Sequence, residues 1–74
     1  MFELGKIYAG TVDGRKFRFQ AVEKTPGENV FFKDLDDLFW YINGPTYPIV
    51  LAGTIKGNEA IIMDHKGFGV RLYA

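Results

Sequence analysis

V-F-F-K-D-L-D-D-L-F-W-Y-I-N-G, residues 30–44, is the stretch with convincing helical periodicity, and its reading decides the fold. Asp34 has the chemistry of an N-cap, a carboxylate able to accept hydrogen bonds from the first unpaired backbone N–H groups. Asp36 and Asp37 then fall in the first turn, where negative charge suits the positive end of the helix dipole. Asn43 and Gly44 supply a left-handed stop, and Pro45 prevents continuation. The spacing predicts a helix over residues 35–42, roughly two turns, too short to stand without packing. At about 100° per residue, Leu35, Leu38, Phe39 and Ile42 gather into one apolar stripe. Trp40 projects about 140° away from Leu35, between Asp36 and Asp37, and Tyr41 lies at the margin.

Working outward, the chain on both sides of this segment reads as strand. Residues 2–12 form a first strand with Leu4, Ile7, Tyr8 and Val12 as its apolar members. Asp13-Gly14 suits a two-residue type I′ turn, because both residues tolerate positive φ. Residues 15–22 alternate, with Phe17, Phe19 and Ala21 on one side and Lys16, Arg18 and Gln20 on the other. A turn at Asp13-Gly14 pairs Val12 with Arg15, Gly10 with Phe17 and Tyr8 with Phe19, so Phe17 is expected to shield Gly10. Residues 23–28, with Pro26-Gly27, are a polar loop, and residues 29–32 a third strand leading into the helix.

After a proline-bounded connection at 44–48, strands are predicted at 49–55, 58–64 and 68–73. Turns fall at Lys56-Gly57 and around residues 65–67. Y-A-G-T-V-D-G at 8–14 is echoed by L-A-G-T-I-K-G at 51–57, which suggests two related hairpins. By that analogy Gly53 pairs with Ala60 and Leu51 with Ile62. Val50, Ala52, Ile61 and Met63 then share the opposite face, making the second hairpin apolar on both sides. Such a pair is central in its sheet or covered by another chain, and a homodimer is one expectation. The fold predicted is α+β: two three-stranded antiparallel meanders joined by one short α-helix, order βββαβββ, as a sheet or a small curled barrel.

Seventy-four residues make one small domain spanning 1–74, with a core that gives only a few kcal/mol of net stability. There is no cysteine, so neither disulfides nor a thiolate metal site reinforces it. Aromatic residues are 16% of the chain, a high share, and extra aromatics serve either a core or an interface. Formal charge balances at zero, so no global field draws the chain to nucleic acid or anionic membrane. No apolar run approaches a membrane span and no signal-peptide pattern opens the sequence, so the expected location is the cytoplasm, away from membranes.

Catalytic chemistry finds few reagents. The chain has no serine or cysteine, and its single histidine, His65, sits in a turn beside Asp64 and Lys66, where solvated turn chemistry is expected. Asp34, Asp36 and Asp37 lack the spacing of a calcium loop, and capping plus the dipole accounts for all three. Gly10-x-x-x-Gly14 has neither the lysine–hydroxyl pair nor the following helix of a phosphate cradle. The expectation is therefore a protein that is not an enzyme and needs no cofactor or metal.

Basic and aromatic residues interleave in R-K-F-R-F at 15–19. K-G-F-G-V at 66–70 resembles the start of the K-G-F-G-F motif of cold-shock and RNA-recognition domains, V-F-F-K at 30–33 is similar to the cold-shock V-F-V-H segment, and Gly10-Thr11-Val12 suits the same family. That resemblance implies aromatics facing nucleic acid, which turns Lys16, Arg18, Gln20 and Arg71 into the barrel. Burying a row of unpaired charges is prohibitive, so the opposite orientation is expected and family membership is not. What remains is a modest basic sheet face, Lys16, Arg18 and Thr11, able to touch phosphates of single-stranded nucleic acid.

Protein interaction is the preferred class. Trp and Tyr dominate binding hot spots, and Trp40 stands off the core stripe, flanked by carboxylates. The competing structural explanation packs Trp40 under the 44–48 loop or against Tyr47. The function expected is a non-enzymatic protein-binding module, an adaptor or an inhibitor masking a partner's site. By analogy of size alone, the chain resembles small proteins of phages and mobile elements. Trp40, Asp36, Asp37 and Tyr41 are the expected contact residues, facing a partner with a basic surface.

Overall fold

Asp13 and Gly14, with φ of 50° and 78°, form the predicted tight turn between β1 (Ile7–Val12) and β2 (Arg15–Lys24) in the computed structural model, which describes residues 1–27 and 29–74. Val12 pairs with Arg15, Gly10 with Phe17 and Tyr8 with Phe19, the expected register. The chain continues through β3 (Asn29–Asp34), α1 (Leu38–Asn43), β4 (Val50–Lys56), β5 (Glu59–Met63) and β6 (Gly69–Tyr73). The Glu28 end of the predicted 23–28 loop lies outside the described residues.

Every strand pairs antiparallel with its neighbour in chain order, so the two predicted meanders are continuous across β3 and β4. The sheet curls until β6 packs against β1, giving a nearly closed barrel. Period-2 alternation decides its two surfaces. Phe19, Ala21, Phe32, Leu51, Ala60, Ile62, Val70 and Leu72 fill the inside, while Lys16, Arg18 and Lys33 face out.

Because β1, β3 and β5 run the same way, the Asp13-Gly14 turn, α1 and the turn before β6 gather at one end of the barrel. Phe39 seals that end, its ring 6.2 Å from Phe19, 6.0 Å from Phe68 and stacked 6.1 Å from Tyr47. Phe2 seals the other, edge-on to Tyr8 at 4.7 Å and to Phe32 at 5.6 Å. Gly5, at φ 88°, turns the chain so that Phe2 folds back inside. The first strand therefore begins at Ile7, not at residue 2, and Leu4 and Ile7 are exposed.

The second hairpin differs from its prediction. Its turn is Gly57-Asn58, pairing Gly53 with Ile62 and Ile55 with Ala60. Gly57 has positive φ and Asn58 does not, the pattern of a turn with glycine in its first central position. The register moves by two residues, so every side chain keeps its face. Val50, Ala52 and Met63 are exposed on the outside and Ile61 is half-buried there.

The helix starts later than its pattern predicts, at Leu38. Asp34 ends β3 and is buried; its two carboxylate oxygens accept hydrogen bonds from the N–H groups of Leu38 (3.0 Å) and Phe39 (2.8 Å). It caps the helix as expected, but from the preceding strand. The N-cap position belongs to Asp37, in left-handed conformation, whose side chain makes no capping hydrogen bond. Neither Asp36 nor Asp37 lies in the first turn. At the far end Gly44, at φ 100°, ends the helix and donates its N–H to the Trp40 carbonyl.

Candidate functional site

Between α1 and the β1–β2 hairpin runs a groove with a cavity of about 500 Å³. Its apolar lining comes from Val12 and Phe17 on the hairpin, Leu38, Trp40 and Ile42 on the helix, and Phe68 before β6. The charged lining is Asp13, Arg15, Asp36 and Asp37, with Tyr41 beside them. Trp40 is 50% exposed and Tyr41 83% exposed, whereas the adjacent Phe39 is wholly buried. The tyrosine of the 44–48 connection stacks on Phe39, and among the described residues no aromatic ring pairs with Trp40.

The segment that positions Trp40 is fastened to β2. The Arg18 N–H donates to the Asp36 carboxylate at 2.7 Å, and the Arg18 guanidinium grips it through Nη2 at 2.8 Å and Nε at 3.1 Å. One residue earlier, the Leu35 N–H donates to the Arg18 carbonyl at 3.0 Å. These bonds draw residues 35 and 36 out of the helix and explain its late start. Hydrogen bonding to Arg18 holds the Asp36 carboxyl below the usual carboxylate range. Burial pushes the Asp34 carboxyl up, against the two helix N–H groups that favour its charged form.

The wall contributed by Phe68 is fixed in a similar way. Asp64, expected in a solvated turn, is buried, and its Oδ1 accepts hydrogen bonds from the N–H groups of Lys66 and Phe68, each at 2.9 Å. Its Oδ2 accepts one from the Asn43 amide at 3.0 Å, tying this turn to the last residue of the helix. Burial raises the Asp64 carboxyl, but these donors together outweigh it and the net direction is down. Across the groove, the Arg15 guanidinium lies 5.6 Å from the Phe17 ring centroid, a cation–π distance.

Trp40, Asp36, Asp37 and Tyr41 thus come together along one groove, although Asp36 is engaged with Arg18 instead of standing free. Val12, Phe17, Ile42, Phe68, Asp13 and Arg15 were not among the predicted contacts. The signal for them was topological: a sequential antiparallel meander brings the first turn, the helix and the last turn to one end. On the outer face of β1 and β2, Thr11 pairs with Lys16 and Ala9 with Arg18. Lys16 makes no ion pair among the described residues, while the charge of Arg18 is committed to Asp36.

Among the described residues no cluster of three or more acidic or histidine side chains is placed to hold a metal. Asp34 turns beneath the helix, Asp36 to Arg18 and Asp37 to solvent. No helix among those residues is long and apolar enough to cross a membrane. No family model, curated protein or solved structure matches the chain.

Proposed function

We propose that this chain is a non-enzymatic protein-binding module, an adaptor or an inhibitor that covers a site on a partner protein through the α1–hairpin groove. The observation that carries the reading is Trp40, half exposed on the wall of an apolar groove whose two sides are fastened by Arg18–Asp36 and Asp64–Asn43. A large aromatic on a preorganised surface concentrates binding energy, because little side-chain entropy is lost when the partner arrives. The test compares capture of partners by the wild-type chain and Trp40→Ala, each with and without nuclease. Nuclease-resistant partners whose affinity falls by roughly 2 kcal/mol in Trp40→Ala are expected. Recovery that nuclease abolishes and Trp40→Ala does not affect supports the other reading, single-stranded nucleic acid on the Lys16–Thr11 face.

A second copy of the chain is a further proposed partner, through the exposed outer residues Val50, Ala52 and Met63. An apolar strip on the outside of a barrel gains by being covered. Sedimentation at micromolar concentration is expected to show a dimer that Met63→Lys dissociates. A clean wild-type monomer removes this proposal and leaves the groove untouched.

A further inference from the structure

Resting on the reading that the groove docks a protein, we propose that its occupant is a peptide segment carrying one bulky apolar side chain next to a lysine or arginine. The apolar side chain fills the cavity and the cation sits by Asp13 and Asp37.

Charge complementarity selects this occupant. Four charged residues line the groove: Asp36 is paired with Arg18, while Arg15 lies over the face of Phe17 and keeps its charge, so Asp13 and Asp37 leave the lining net negative. Asp13 and Asp37 make no side-chain hydrogen bond or ion pair among the described residues. They are also the two non-glycine residues there with positive φ, 50° and 56°, one closing the hairpin and one opening the helix. The groove therefore presents two uncommitted carboxylates beside an apolar hollow, on a chain whose formal net charge is zero. A neutral apolar ligand leaves that field unused, and an acidic one is repelled by it.

Size and shape favour a chain segment. A cavity of about 500 Å³ takes one large side chain with its neighbours, as a peptide segment or a partner's loop presents it. Tyr41, almost fully exposed at the margin, carries the contact surface beyond the hollow, where an extended segment covers it and a compact small molecule does not. Trp40 and Phe17 give the entering side chain aromatic neighbours, and the carboxylates set its orientation.

The experiment pans a random twelve-residue peptide display library on the wild-type chain, with Trp40→Ala and Tyr41→Ala as background surfaces. Both variants are first checked for native circular dichroism. Wild-type-dependent peptides are expected to share a bulky apolar residue within two positions of Lys or Arg. For one such synthetic peptide, measured through the fluorescence of Trp40, Asp13→Asn with Asp37→Asn is expected to weaken binding about fivefold or more. Added salt acts in the same direction. Asparagine tolerates left-handed backbone, so this double variant keeps both turns. Selected peptides with no basic residue, or a double variant that binds as tightly as wild type, overturn the occupant while the docking groove stands. If no peptide distinguishes wild type from either background variant, the groove itself is overturned and this inference falls with it.

Discussion

Phe39→Ala is expected to lower stability by roughly 3–5 kcal/mol, while Trp40→Ala, one residue along the same helix, lowers it by less than about 1 kcal/mol. Phe39 is wholly buried and touches three elements at once: its ring meets Phe19 of β2, Tyr47 of the connection after α1 and Phe68 before β6. Truncation leaves a void under the whole end of the barrel, and the helix above it has only six residues, too few to hold its shape unpacked. The Phe39 N–H is also one of the two donors to buried Asp34, so loosening this turn strands a carboxylate in the interior. Total stabilities run near 0.05–0.15 kcal/mol per residue, so the loss is a large share of what 74 residues hold. Trp40 has half its surface in water and no ring partner in aromatic contact among the described residues. Urea unfolding followed by far-ultraviolet circular dichroism makes the comparison without relying on Trp40 as a probe. Equal losses in the two variants would place Trp40 in the core and remove the proposed site.

That contrast was readable in the sequence because helical angle alone separates Phe39 from Trp40, whichever residue begins the helix. The point of initiation was not readable. D-L-D-D offers several carboxylates at capping distance, and the choice was made by Arg18, sixteen residues before Asp34, which holds Asp36 against β2. Strand faces were likewise secure, since a two-residue shift in the β4–β5 register leaves the period-2 pattern intact. Phe2 was misread as part of a strand because its burial depends on an open barrel end, a feature of the closed sheet and not of its own neighbourhood. Half of the groove was hidden for the same reason: Val12, Phe17 and Phe68 meet α1 only through the order of the strands. Local chemistry identified the residues on the helix, and closure of the barrel supplied the rest.

Closure itself rests on Gly10, and Gly10→Val is expected to cost more than the roughly 1–3 kcal/mol typical of overpacking. No ladder pairing joins β1 to β6 among the described residues; the seam is held by packing. A Cβ at residue 10 collides with the Val70 side chain and comes within 3.0 Å of Leu72 Cδ2 and 3.3 Å of the Arg71 carbonyl oxygen. Val70 and Leu72 are buried and the carbonyl is backbone, so nothing nearby yields cheaply and β6 is driven away from β1. The sequence placed Phe17 over Gly10, across the hairpin, and the two do pair; the atoms nearest to a Cβ there, however, belong to β6. These two covers predict different rescues. Gly10→Ala is expected to regain stability when combined with Val70→Ala, relative to the sum of the two single losses, because the smaller side chain opens the space that the new methyl needs. Combined with Phe17→Ala, it is expected to show no such coupling. Gly27→Val, which meets nothing within 4 Å and has ordinary φ, serves as the neutral control in the same urea series. Coupling to Phe17 and none to Val70 would mean that β6 does not close on β1, and the barrel end that builds the groove would have to be redrawn.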